Sequence, residues 1–394
     1  MSTIRTRDLL LGATAAALAG YAGWQAIRAW NGFREPAPAV PKDAAAYGRA
    51  RRRIATVAIA QTLGTSAVVA YGPIADRLDE LTGAVPVWLR PAALAIALSA
   101  IDGIAGLPGA YLDDYVLERR YGLTEQTQEA WFLEHLKGAA LSAALMATLA
   151  TFFGAAVRKA PRAWPALAGA ATLPLFVLGN IVVPLYVMPM FNTFEPLAGP
   201  LEVRLRALAA RYGVGDADIL RMDMSKQTKK ANAFVTGIGS THRIVIGDTL
   251  LENFADEEIE FVVAHELGHY VAKDTWRSIA LGQVLALTSF AFANAMLPPQ
   301  AREGDRSISI ARLVLWMQVA SQALRPALFA FSRSREWAAD RFALQATQAP
   351  TAGASAFRRL RDQNLAEDEQ PAWYEFLFGS HPSLKRRIEA LDQA

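Results

Sequence analysis

Cysteine is absent from the 394-residue chain. That excludes disulfides, thiolate metal ligands, cysteine nucleophiles and lipidation at cysteine. Excess charge of one sign is also lacking: 40 Lys and Arg against 37 Asp and Glu leave a formal net charge of +3, so no nucleic-acid or polyanion footprint emerges. Histidine is scarce, with five in all, and methionine contributes only eight residues. Any metal site must therefore be built from histidine and carboxylate.

What the chain has instead is apolar surface. Hydrophobic residues make up 53% of it, high for a soluble enzyme and suited to a polytopic membrane protein. Apolar segments near 9–30, 54–75, 87–110, 137–157, 163–189, 276–298 and 308–331 predict seven spans, each close to the roughly 20 residues that cross a bilayer. The first follows a basic head (Arg5, Arg7), so a cleaved signal peptide is the alternative, but the spans that follow favour a retained helix. Pro91, Pro108, Pro174 and Pro184 are expected to kink or end the third and fifth.

Basic residues set the orientation. The first loop carries Arg34, Lys42, Arg49, Arg51, Arg52 and Arg53, and the last segment Arg333, Arg335, Arg341, Arg358, Arg359 and Arg361. Both are expected in the cytoplasm, together with the polar interval 190–275. Gln61, Asp102, Asn180 and Gln283 fall at mid-depth, where polar groups are costly against lipid. They are expected to face a bundle interior or a water-filled cavity, with helix-to-helix hydrogen bonding as the alternative for the amides. The linker "REPAPAVPKD" (34–43) should be extended. Only the polar interval has β character, in "DILRMDM" (218–224), "NAFVTGIG" (232–239) and "HRIVIGD" (242–248), the last two joined by the turn "GIGSTH".

One helix carries chemistry. In "ADEEIEFVVAHELGHYVAKD" (255–274), Asp256 is the expected cap, and Glu257 and Glu258 suit the positive end of the dipole. His265 and His269 are one turn apart on one face, the spacing that lets two imidazoles hold one zinc ion. Glu266 projects about 100° away from His265. It can take a proton from a water that the metal activates.

A catalytic zinc normally has three protein ligands. The third is sought in "FSRSREWAADRFAL" (331–344), where Glu336 and Asp340 share a helical face. Glu336 can ligate while Asp340 accepts from the free nitrogen of a ligating histidine. The alternative for Glu336 is a salt bridge to Arg333 or Arg341. His381, in "GSHPSLKRRI", can donate to an oxyanion, or else caps a helix. His135 and His242 are expected to be structural.

Together these stretches resemble the type I CAAX prenyl endopeptidases, integral-membrane zinc metallopeptidases. "RRYGLTEQT" (119–127), "MFNTFEPL" (190–197), "KANAFVTGIG" (230–239), "SREWAADRFAL" and "SHPSLKRRI" carry the likeness. The resemblance implies a mainly α protein, with about seven transmembrane helices around a water-filled chamber. A small α+β zincin-like domain would hold the site near the cytoplasmic face. It implies one Zn2+ held by His265, His269 and Glu336, Glu266 as general base, His381 and Asn232 beside the substrate backbone, and Arg387 as an electrostatic partner among the substrate-binding residues.

The expected division is an N-terminal membrane domain over 1–190 and a peptidase domain over 191–394 that includes the last two spans. The partners implied are the bilayer and a peptide or protein substrate, isoprenylated or membrane-inserted, with no nucleic acid. Alanine-rich composition and short loops look bacterial, which points to the plasma membrane. There, quality control of membrane proteins is an alternative role. A metal-regulated transporter or scaffold is the alternative from another class, and it leaves Glu266 without a purpose.

Overall fold

The computed structural model describes residues 42–160, 163–297 and 307–394. The first expected span and most of the proline-rich linker lie outside the described residues. Five described helices are long and apolar enough to cross a membrane: Ala44–Tyr71, Arg90–Arg120, Gln128–Ala156, Trp164–Met190 and Asp274–Met296. The expected span at 308–331 lies inside a 41-residue helix, Ser307–Thr347, which is not among those five. The protein is thus an integral, multi-pass membrane protein, with five of the seven expected spans meeting the criterion among the described residues.

We label the helices α1 (Ala44–Tyr71), α2 (Ile74–Thr82), α3 (Arg90–Ala110), α4 (Gln128–Lys159) and α5 (Trp164–Val182) in the membrane part. After them come α6 (Pro200–Arg211), α7 (Asp248–Asn253), α8 (Asp256–Val271), α9 (Asp274–Met296), α10 (Ser307–Thr347), α11 (Pro350–Gln363), α12 (Ala372–Phe378) and α13 (Leu384–Asp392). Asp43 starts α1 by accepting from the Ala46 N–H at 2.9 Å, and Thr127 starts α4 in the same way. The prolines do not break the spans. Pro91 occupies the first turn of α3, where its missing N–H has no partner to lose. Pro108 precedes a π-helical stretch, Tyr111–Leu117, and Pro184 opens a second, Val183–Val187, so the chain absorbs both as widened turns.

Of the mid-depth amides, Gln283 makes the helix-to-helix bonds of the alternative reading and Asn180 bonds within its own helix. Gln283 of α9 donates to the Gly169 carbonyl of α5 at 2.5 Å and accepts from Thr172 at 2.8 Å, while Asn180 donates to the Phe176 carbonyl of its own helix. Asp102 differs. It lines a cavity of about 610 Å3 between α1, α3, α4, α5, α9 and α10, where Phe176, Phe290 and Trp164 form part of the wall.

The β region is a four-stranded sheet in the order β1-β2-β4-β3, with β1 Phe194–Pro196, β2 Asp218–Met222, β3 Ala233–Thr236 and β4 Arg243–Gly247. β2 and β4 are parallel and the other pairs antiparallel. β1 has no counterpart in the sequence expectations, because three residues ending in proline show no alternation. β3 is shorter than the stretch expected. Gly237, at φ +93° with the Thr241 carbonyl where a Cβ would stand, turns the chain after Thr236. Ile219, Ile244, Ile246, Leu250, Phe261, Leu267 and Phe357 form the core between this sheet and helices α6, α8, α10 and α11.

Candidate metal centre

The cap of α8 differs from expectation. Ala255 is the residue before the first turn, and Glu258 reaches back to accept from its N–H at 2.8 Å, which leaves Asp256 inside the helix. The helix then runs without interruption to Val271, carrying His265, Glu266 and His269. Gly268 lets it press against α10: a Cβ there would stand 3.1 Å from the Ala339 Cα. That contact brings α10 close enough for Glu336 to meet both histidines.

The donor atoms converge. His265 Nε2 lies 3.4 Å from Glu336 Oε2, and His269 Nε2 lies 3.4 Å from Glu336 Oε1. All three groups offer an atom within 4.8 Å of the others. Two ligands of a tetrahedral ion with bonds of about 2.0–2.1 Å stand about 3.3–3.4 Å apart, so this donor set fits a zinc ion and leaves room for a fourth position.

Each imidazole is turned by a carboxylate on its far side. Asp340 lies 2.9 Å from His265 Nδ1, and Asp274 lies 3.0 Å from His269 Nδ1. Both Nε2 atoms are thereby presented inward. Asp274 was not anticipated from sequence. It lies five residues beyond His269, across a left-handed Lys273 (φ 55°), which bends the chain back so that the first residue of α9 faces the site. The signal was present as the carboxylate closing "HYVAKD", but helical periodicity does not extend across that turn. Arg335 holds Asp274 from the other side at 2.6 Å.

Burial and these pairings set the titration of the group. Burial works against a charged His265, but hydrogen bonds to Asp340 and Glu336 outweigh it and raise its pKa to about 9. His269 is also raised, since Glu336 overcomes the effect of burial. Burial would raise Glu336, yet the two histidines hold its carboxyl well below the usual range. Burial raises Glu266, with His265 and His269 opposing, which brings a carboxylate towards the range useful to a general base.

Arg387 sits beneath this group. It grips Asp340 with two bonds, 2.6 and 2.8 Å, approaches Glu336 at 3.4 Å and stacks 4.2 Å from the centre of the Phe357 ring. At 6% exposure it presents little surface to a bound peptide. Its guanidinium is engaged by Asp340.

The remaining residues surround the group. His381 Nε2 lies 3.4 Å from Glu336 Oε1, with 61% of its side chain exposed, and Ser380 Oγ lies 2.8 Å from its Nδ1. It is not the cap of α13, a role taken by Ser383. Arg333 is likewise not a partner of Glu336. It donates to the carbonyls of Glu375 and Gly379 and so ties the His381 loop to α10. Asn232 is exposed and immediately precedes β3. His135 stacks on Trp131 and His242 packs edge-on against Tyr270.

β3 is an edge strand. The Gly247 N–H donates to the Asn232 carbonyl at 3.0 Å, so in this register residues 232, 234 and 236 bond to β4. The N–H and C=O groups of Ala233 and Val235 then point to the open edge.

Residues 197–394 match peptidase family M48, and residues 38–193 match the CAAX prenyl protease N-terminal family of five membrane helices. The chain is 28% identical to the Bacillus subtilis protein called uncharacterized metalloprotease YhfN, covering 78% of this chain and 75% of that one. It is 25% identical to CAAX prenyl protease 1 of Saccharomyces cerevisiae, over 75% and 70% of the two chains. The crystal structure of S. mikatae Ste24p shares its fold, with a TM-score of 0.79 over 100% of both chains at 22% identity. The chain belongs to peptidase family M48 and is a membrane-embedded metallopeptidase, a hydrolase acting on peptide bonds.

Proposed function

We propose that the chain cleaves C-terminal residues from isoprenylated, membrane-associated peptides at one zinc ion held by His265, His269 and Glu336. The observation that carries the reading is the meeting of those three side chains beside Glu266, on the helix that supplies two of them. The substrate class follows the yeast relative called CAAX prenyl protease 1. The peptidase unit comprises residues 191–394, and residues 1–190 form the membrane unit. The protein sits in a bacterial plasma membrane with its site towards the cytoplasm, as the basic loops favour.

Zinc in this position supplies a Lewis acid that polarises the scissile carbonyl and acidifies a water. The chain's own residues do the rest. A peptide adds as a strand along β3, bonding to the backbone groups of Ala233 and Val235, with Asn232 beside it. Glu266 takes the proton of the attacking water and returns it to the leaving amine. With Ser380 Oγ as the donor to His381 Nδ1, the ring hydrogen would sit on Nε2, which faces Glu336 Oε1 at 3.4 Å and could turn to stabilise the oxyanion. Asp340 and Asp274 keep both ligating imidazoles in one tautomer and one orientation.

The test is cleavage of a farnesylated Cys-aliphatic-aliphatic-X peptide by detergent-purified protein, beside Glu266→Ala, with zinc quantified in both. Loss of activity by about 100-fold or more in Glu266→Ala, with zinc retained, is the expected result. Cleavage of only unprenylated membrane-protein segments would replace the substrate class with quality control. Undiminished cleavage by Glu266→Ala would remove the general base.

A further inference from the structure

Lys230 reaches from the start of the substrate-pairing strand into the membrane part of the protein. Its Nζ lies 2.7 Å from Glu118 Oε1 and 2.8 Å from the Tyr47 hydroxyl, residues 112 and 183 positions away in sequence. Tyr47 in turn donates to Glu118 and packs edge-on against Tyr121. Tyr47 and Glu118 are both buried, and Glu118 follows directly on the π-helical stretch that ends α3. Widened turns of this kind are often found at functional sites. None of the chemistry at His265, Glu266 or Glu336 uses this cluster.

The backbone beside Lys230 is held at almost every polar group. Lys229 N–H donates to the Leu123 carbonyl at 2.7 Å, and Gln363 donates to the Lys229 carbonyl at 2.7 Å. Thr249 donates to the Lys230 carbonyl at 2.9 Å. Asn364 then pinches Ala231, accepting from its N–H at 2.8 Å and donating to its carbonyl at 3.1 Å. One residue later comes Asn232, and after it the free groups of Ala233 and Val235.

We propose that Lys230 is a positioning residue for the peptidase reaction: anchored on Glu118 and Tyr47, it fixes where β3 begins and so sets the register of the peptide against the metal group. This rests on the peptidase reading above and on pairing along β3. The physical need is specific, because a one-residue slip of a strand turns every side chain to the other face. A misplacement of about 1 Å at a reacting carbonyl costs on the order of 100-fold in rate. A partly buried ammonium paired with the buried Glu118 and Tyr47 penalises such a slip, whereas an apolar side chain would tolerate it.

The experiment compares wild type, Lys230→Met, Glu118→Gln and the double variant, full-length and zinc-loaded, on the peptide that wild type cleaves. Kinetics, zinc content, melting temperature and product masses are read together. The expected result for Lys230→Met is a fall in kcat/KM of about ten- to a hundredfold, through kcat as well as KM, with zinc unchanged and cleavage spread over neighbouring bonds. In the double variant no buried charge is stranded, so melting temperature recovers while KM and product spread do not. If Lys230→Met does not fold, Glu118→Gln and the double variant carry the same comparison.

A Lys230→Met enzyme with wild-type KM and a single cleavage site would overturn the proposal. So would a double variant that recovers both stability and KM, since the cluster would then be only a structural tie. Wild type that cleaves no peptide would sink the peptidase reading itself, and this inference with it.

Discussion

Replacing Asp340 with asparagine tests how the site is held rather than what it does. Asp340 accepts from His265 Nδ1 and from two donors of Arg387, and all three residues are 6% exposed. Asparagine keeps the shape and removes the charge. Loss of a carboxylate behind a ligating histidine lowers metal affinity by about 10–100-fold, or about 1.4–2.7 kcal/mol. The structure puts the outcome at the upper end, because Arg387 already lies 3.4 Å from Glu336 and would turn towards that ligand once Asp340 is neutral.

Stability changes separately. An arginine stranded in the interior costs about 3–5 kcal/mol. Removing it as well, in Asp340→Asn/Arg387→Leu, should restore most of the stability while metal affinity stays about tenfold down. The assay is competition for zinc with a chromogenic chelator, paired with thermal melts of the metal-free proteins. Zinc affinity within about twofold of wild type in Asp340→Asn would refute the claim that this carboxylate orients His265.

Three further outcomes are expected. Glu336→Ala should lose both bound zinc and cleavage, and zinc retained at full occupancy, measured by elemental analysis, would transfer the third position to Asp340 or His381. Asp274→Ala should lower zinc affinity by about tenfold, and it should also release Arg335; an unchanged affinity in the chelator assay would make Asp274 a partner of Arg335 alone. Because the metal-free His265 has a pKa raised to about 9, a proton must leave when metal binds. Zinc affinity should therefore rise by about tenfold per pH unit up to about 9 and then level, and titration calorimetry in buffers of different ionisation enthalpy should show proton release at pH 7.5. A flat affinity between pH 7 and 8.5 would contradict that assignment.

Features that depend on neighbours along the chain were legible in the amino-acid order alone. Spacing of four on a helix puts His265 and His269 on one face whatever surrounds them, since the helix advances about 100° per residue. Apolar length likewise made the chain a membrane protein before any fold was known. Span ends and strand lengths were less legible. Pro108 lies just before one π-helical stretch and Pro184 within another, neither of which apolar length reveals, and β1 is a strand only because β2 pairs with it.

Features that depend on distant segments emerged only from the packing of the folded chain. Glu336 reaches the histidines because Gly268 admits α10, Asp274 turns His269 because Lys273 takes a left-handed bend, and Arg387 is buried because Asp340 and Phe357 enclose it. Lys230 belongs with Glu118 and Tyr47 only once the sheet meets the membrane helices. Local periodicity specifies direction around one helix axis, whereas the meeting of two elements depends on how their side chains pack, and no single stretch of sequence contains both sides of that contact.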